Sequence, residues 1–537
     1  MIRAALALGL CAIGLQAAAA GVTVTVRLAA PDALEATYEL PPACSTLSFL
    51  KKGADAARIR ARWQAQDGCG TAGGDTLARG AQACAALRFR VPATSDKVAG
   101  YPGSFPVGQA LYAHMSNYAV DEACGPVSYR FAGPATIRAA GRSFDRSAPA
   151  HADASSLLFP APQPGAGVDY FDPALSATAV TQIRSVADGV TRVLKQAMPL
   201  ADYVPPIIAA GLAEEPGGPN IGGSAGDVLL LTLFNWPADP APQYQRQMNK
   251  LVAHEVSHRF QVRDAVDSYP DRRLIHEGGA EFLRWSVSLH QGWLTPQQAA
   301  AELDDALADC MLGTGERSWR AMPAREIDAR RLEYSCGLPA YVYALAARQG
   351  EGTPYARLDR FYAQLRLGAR PEFMRAIECG AASCAPRVLP AVLEGAGAMR
   401  TRWADVLGET GLATPRAPRQ AHVDAMMLQA ITRLMQEDCA GGRSITPAPD
   451  RILLDTLPKC RTLRKDAVVT SAEGLPVFGT AQAVPAVVAA CAARHVVALG
   501  LEDGTTLAMP CRTPYQPMTQ VYAADIGRIM AALGVTP

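Results

Sequence analysis

Five residues, His254-Glu255-Val256-Ser257-His258, carry the chemistry that is easiest to read in this chain. On a helix, positions four apart lie on one face a single turn from each other. Two imidazoles so placed can hold one divalent metal, and the glutamate between them then stands beside the metal's open position. A third donor is available in His276-Glu277-Gly278-Gly279-Ala280-Glu281-Phe282, where Glu277 follows His258 after eighteen intervening residues. Three protein donors with one position left for water is the arrangement of a catalytic zinc ion. Glu281 lies one helical turn beyond Glu277 and shares its face. A carboxylate there suits the need of a metal-bound imidazole to donate its second N–H.

The spacing and the segment around Glu277 resemble the gluzincin zinc peptidases, in particular the aminopeptidase N group and the related glycyl-aminopeptidase family. The resemblance is strong over residues 170 to 350. It implies Zn²⁺ on His254, His258 and Glu277, Glu255 as the catalytic carboxylate, and Glu281 orienting a bound histidine. It also implies a role for Tyr334 in Tyr334-Ser335-Cys336-Gly337. A tyrosine at the head of such a helix faces the scissile carbonyl and can stabilise the developing oxyanion. The implied substrate is a peptide or protein.

Two departures stand out. Aminopeptidase N-like enzymes carry a Glu that binds the substrate's free amino group. This chain has Ile221-Gly222-Gly223-Ser224-Ala225-Gly226-Asp227 in its place, with Asp227 as the one acidic substitute. Arg259 is charged where the family has an uncharged residue just after the second histidine.

The elements that must position these groups can be read from the pattern. Met248, Leu251, Val252 and Phe260 recur at helical spacing around the motif, as a buried helix requires. Ile207 to Ala210 and Val228 to Phe234 are nearly continuous apolar runs of strand length, separated by a Gly-rich stretch, residues 217–226, that reads as a turn. In the resembled fold the Val228 run is the edge strand ahead of the metal helix. Ala177 to Met198 has helical periodicity, and helical sequence dominates from Tyr244 to Leu412.

The flanks differ. Residues 21–165 are rich in Gly, Pro and alternating runs such as Val22-Thr23-Val24-Thr25-Val26 and Leu87-Arg88-Phe89-Arg90-Val91, the period-two pattern of half-buried strands. Beyond Pro415, residues 466–511 read as strand, helix, strand, a turn at Asp503-Gly504, and a last strand. The expected architecture is multidomain α+β: a β-rich N-terminal domain (21–165), a thermolysin-like catalytic domain (166–415, helical from about 290), and a small α/β C-terminal domain (416–537). The resemblance implies that this last domain is PDZ-like.

Residues 1–20 combine Arg3, an apolar run and the small residues Ala17 to Ala20, the layout of a cleavable export signal. Removing it takes Cys11 and leaves twelve of the thirteen cysteines, dispersed and without a CxxC pair, which reads as structural disulfides. Cys379 with Cys384 is the simplest pairing of neighbours. No later stretch has the length of a membrane helix, so a periplasmic or secreted location is expected. A net charge of +1 gives no reason to expect nucleic acid as a partner. Amino-terminal sequencing of the product exported by a bacterial host should begin at or near Gly21; a chain retaining Met1 would refute export.

Overall fold

The structure is a computed structural model, which describes residues 21–82, 84–98, 101–163, 167–214, 218–262, 271–315, 317–347, 353–377, 393 and 399–535. The export signal and the Cys379–Cys384 pairing lie outside them. The chain forms two compact units, one of residues up to Asp188 with Tyr203–Arg259, the other of Gly189–Asp202 with Phe260–Pro537. The architecture is multidomain α+β, with a β-rich N-terminal region and a helical part.

In the first unit, alternating strands build a ten-stranded sheet. Val22–Ala30 runs antiparallel to Ala33–Glu39 and parallel to Val127–Ala139. Val22, Val24, Val26 and Leu28 turn one side of the first strand inward, against Tyr38, Phe89 and Phe131. Cys44–Cys124 and Cys69–Cys84 cross-link this region.

A second sheet of four strands follows, in the order Tyr170–Phe171, Ile207–Ala213, Val228–Phe234, Asn220–Ala225. The first three are parallel and the last is antiparallel. Ile207, Ala209, Val228 and Leu230 share a core with Phe105, Tyr112 and Leu157 of the larger sheet and with Phe159 just beyond it.

The order corrects the sequence reading. Val228–Phe234 is paired on both sides, and the edge is Asn220–Ala225, inside the stretch that reads as a turn. The run VLLLTLF is buried along almost its whole length, as a central strand requires. Glycines lower strand propensity, which hides the edge strand from a reading by residue type. The helix Pro242–Ser257, opened by a proline at its first turn, carries His254 and Glu255.

The second unit is largely helical. Leu274–Gly278 forms a π-helical turn that runs directly into the helix Gly279–His290. The helix Pro296–Thr314 starts on a capping box between Thr295 and Gln298. The helix Leu332–Ala347 is buried on all sides, and Cys310–Cys336 ties it to Pro296–Thr314. Toward the C-terminus a six-stranded sheet contains Ala467–Ala472, Val496–Leu501 and Thr506–Pro510, with the helix Ala483–Arg494 preceding the last two. These are the strands and helix that the sequence pattern predicts. Cys439–Cys460 and Cys491–Cys511 lie in this part. No helix among the described residues is long and apolar enough to cross a membrane.

One crossing in this unit leaves no room for a side chain. A Cβ added to Gly337 would lie 2.2 Å from the Cα of Gly278, and one added to Gly278 would lie 2.7 Å from the Cα of Gly337. The head of Leu332–Ala347 and the π turn therefore touch backbone to backbone. Gly337→Ala should cost about 1–3 kcal/mol or more through overpacking, read as a lower thermal midpoint. Gly408→Ala, in a helix where nothing lies within 4 Å of the added carbon, should leave the midpoint unchanged or slightly raised.

Candidate metal centre

Burial of Met248, Val252, Ala253 and Val256 fixes which way the Pro242–Ser257 helix faces. His254 is buried and Glu255 is half-buried. His258 follows the helix in a 3-10 turn, His258–Phe260. The two Nε2 atoms lie 3.0 Å apart, with the imidazole planes at 87°. The one-turn spacing in the sequence thus brings both nitrogens to one point.

Glu277 sits in the π turn, a form that recurs at functional sites because it turns a side chain out of the helical register. One donor atom from each of His254, His258 and Glu277 lies within 4.8 Å of the others. Two imidazole nitrogens with one carboxylate oxygen is a donor set suited to Zn²⁺, and three protein donors leave a tetrahedral ion one open position. The set fits a catalytic zinc rather than a closed structural site. Asp438, Cys439 and Cys460 also cluster. Their sulfurs are joined in a disulfide, and the Asp438 carboxylate accepts the backbone N–H groups of Thr462 and Leu463.

Glu277 is held by Arg273, four residues before it on the same turn of chain. One Arg273 nitrogen donates to Glu277 Oε1 at 3.1 Å, and the other to Glu333. Burial raises the pKa of Glu333, and the Arg273 charge opposes that rise. Arg273 and Glu333 were not apparent from the sequence. The four-residue spacing of Arg273 and Glu277 is a signal for their pairing, but nothing in the pattern marks Glu333.

Tyr334 lies in the first turn of Leu332–Ala347, half-buried, with the Arg331 guanidinium 4.4 Å from the centre of its ring. Burial works against the Arg331 charge, but Tyr334, Glu333 and Glu277 outweigh it and raise its pKa. Tyr334, Glu333 and Glu277 thus all act electrostatically on one guanidinium. The crossing of Gly278 and Gly337 explains why these groups meet. Gly279 is also packed tightly, since a Cβ there would approach Tyr362 Oη to 2.5 Å and Gln261 Nε2 to 2.8 Å.

Glu281 is buried, and its carboxylate accepts from Nε of Arg284 at 3.2 Å and from Nη2 of the same residue. Arg284 is almost fully buried and also donates to Glu302. Burial alone would lower its pKa, and the two carboxylates more than offset that, leaving it raised.

The two departures in the sequence have structural counterparts. Arg259 donates to the carbonyl of Val204 and, through Nη1 at 3.1 Å, to that of Gly226. Its charge therefore fastens the chain beyond the edge strand. Asp227 has a carboxylate oxygen 3.5 Å from His151 Nε2. On the edge strand, a Cβ at Gly223 would lie 3.4 Å from Glu255 Cγ and 3.5 Å from Glu255 Oε1. The bare glycine lets that strand pass directly beside the Glu255 carboxylate.

Neither a protein-family model nor a curated protein matches the sequence. Among solved structures, an aminopeptidase N family protein from Idiomarina loihiensis aligns over 96% of this chain and 100% of its own, with a TM-score of 0.61 at 10% identity. Native yeast LTA4 hydrolase aligns over 78% of this chain and 72% of its own, with a TM-score of 0.39 at 11% identity. The first likeness is one of fold.

A metal bound by this donor set should be lost with a donor. Elemental analysis of the purified chain should give about one zinc per molecule, and His258→Ala should lose most of it. Undiminished zinc in that variant would mean that the donors are elsewhere.

Proposed function

We propose that the chain is an exported zinc metallopeptidase of the gluzincin kind, aminopeptidase-like in architecture, which hydrolyses peptide bonds. The observation that carries this reading is the meeting of His254, His258 and Glu277 donor atoms within 4.8 Å, with Glu255 on the same helix. Zinc at that point supplies Lewis acidity, polarising a carbonyl and making a water more acidic. Glu255 takes the proton of the attacking water and delivers it to the leaving nitrogen. The Tyr334 phenol donates to the developing oxyanion. Arg273 holds the Glu277 carboxylate in position, and Glu281, paired with Arg284, orients a histidine through its second N–H.

The substrate backbone pairs with the outer edge of Asn220–Ala225, adding an antiparallel strand beside Glu255. Side-chain-free Gly222 and Gly223 leave that edge open to a peptide of any sequence. Nothing acidic occupies this strand to anchor an amino terminus, and Asp227 is engaged by His151. That observation favours a second reading, cleavage within a chain rather than from its end.

Five disulfides among the described residues support an extracytoplasmic location, consistent with a signal over residues 1–20. We keep the domain limits 21–165, 166–415 and 416–537, and read the last as PDZ-like from its strand–helix–strand–turn–strand order.

Glu255 and Tyr334 are not metal donors, so each can be changed with the ion retained. Glu255→Gln should lower hydrolysis of a peptide library by roughly 10²–10⁴-fold. Tyr334→Phe should cost roughly 10²–10³ in turnover, with a smaller effect on substrate binding. Product mapping by mass spectrometry also reads the cleavage end. Two variants as active as the parent would refute the catalytic assignment, and a parent that binds peptides without cutting any would be a binding protein.

A further inference from the structure

The second unit contains a cavity of about 390 Å³ whose lining residues include none of the metal donors. It is bordered by the end of the helix Pro296–Thr314, the helix Gln420–Asp438 and residues 513–516. Among the described residues, four arginines line it, Arg317, Arg330, Arg400 and Arg433, against one carboxylate, that of Glu326.

That carboxylate is already committed. Arg317 grips it with both terminal nitrogens, at 3.3 and 2.8 Å. Arg330 donates to the Gly313 carbonyl, at 3.3 Å, and Arg400 to that of Gln516, at 2.7 Å, and to the Tyr515 hydroxyl. The Nε atoms of Arg330 and Arg400 are buried and have no hydrogen-bond partner among the described residues. Arg433 likewise forms no ion pair there. The arginines converge: the buried Tyr515 hydroxyl lies within electrostatic reach of Arg400, Arg330 and Arg433. Arg443 adds a further positive charge near Arg330, and burial together with that repulsion lowers the Arg330 pKa.

Gathering like charges in a partly desolvated cavity costs free energy unless an opposite charge enters. The chain as a whole does not impose the excess, since 51 basic residues face 50 acidic ones. Lysines would supply point charges, whereas these are all guanidinium forks, which match the paired oxygens of phosphate and carboxylate groups. The volume equals roughly thirteen waters at about 30 Å³ each, too large for a single phosphate and sufficient for two or three linked anionic groups. Leu312, Pro514 and Tyr515 give part of the wall an apolar surface.

We propose that this cavity binds a small multivalent oxyanion, held between the Arg330, Arg400 and Arg433 guanidiniums.

Calorimetric titration of the mature, zinc-loaded chain at fixed ionic strength tests this, with pyrophosphate, citrate and acetate as probes. Saturable binding of pyrophosphate or citrate, and none of acetate, is expected; which of the two binds more tightly tells phosphate from carboxylate recognition. The double variant Arg330→Gln/Arg433→Gln should weaken binding by roughly tenfold or more, given the worth of charged hydrogen bonds. Glu326→Gln should tighten it, a change that misfolding cannot mimic. His254→Ala should keep it, which removes chelation of zinc as the source of heat. Absence of saturable binding, equal binding of acetate, or loss in His254→Ala with retention in the arginine variant would each overturn the proposal.

Discussion

The close approach of Gly278 to Gly337 is the constraint on which the site's second half depends. A side chain on either residue would push the π turn and the head of Leu332–Ala347 apart. Backbone contact at this point puts Glu277 and Tyr334 at one crossing, although 56 positions separate them in the numbering of the chain. The Cys310–Cys336 disulfide holds the same helix head from its other neighbour. A protein interior packs too densely to take up a misplacement of one helix by small adjustments elsewhere. The glycines are thus as much part of the site as the groups that they bring together.

Charge is balanced locally around this crossing. Three carboxylates, Glu277, Glu281 and Glu333, are buried, and each would be costly there without a partner. Arg273 serves two of them and Arg284 the third. A buried ion pair adds little net stability, so its value here lies in orientation. A carboxylate gripped by a guanidinium fork has few rotamers left, which is what a donor needs when it must meet two imidazole nitrogens at one point. The arginine-lined cavity shows the opposite balance within the same unit, with cations outnumbering their partners.

How much of this could be read in the sequence depends on the range of the interaction. The two histidines and Glu255 were legible because helix geometry alone fixes residues four apart. The strands and helix near the C-terminus were legible for the same reason, since period-two runs, an apolar helical stretch and Asp503-Gly504 are all local signals. Glu277 could be offered as a third donor and was singled out by resemblance, because no periodicity spans eighteen residues that end in a π turn. Glu333 was not legible at all: its partner Arg273 is sixty residues away in the numbering, and a glutamate in an apolar helix carries no mark of what it will meet. The arginine cavity draws on five separate segments, so no window of sequence contains it.

The edge strand was misread for a reason that bears on what the site can do. Residue-type propensity favours β-branched and aromatic side chains, and Asn220–Ala225 has mostly small ones. What makes it a strand is pairing with Val228–Phe234 over all six of its residues, a tertiary demand that overrides local preference. At Gly223 the strand runs so close to Glu255 that an added Cβ would touch its side chain at van der Waals distance. The outermost strand of the sheet thus passes beside the carboxylate with no side chain of its own at that point. Arg259 then fastens the chain at Gly226, just past the strand's end, limiting how far that edge can move. The features that make this segment look like a turn are therefore the ones that let it serve as the floor of a site.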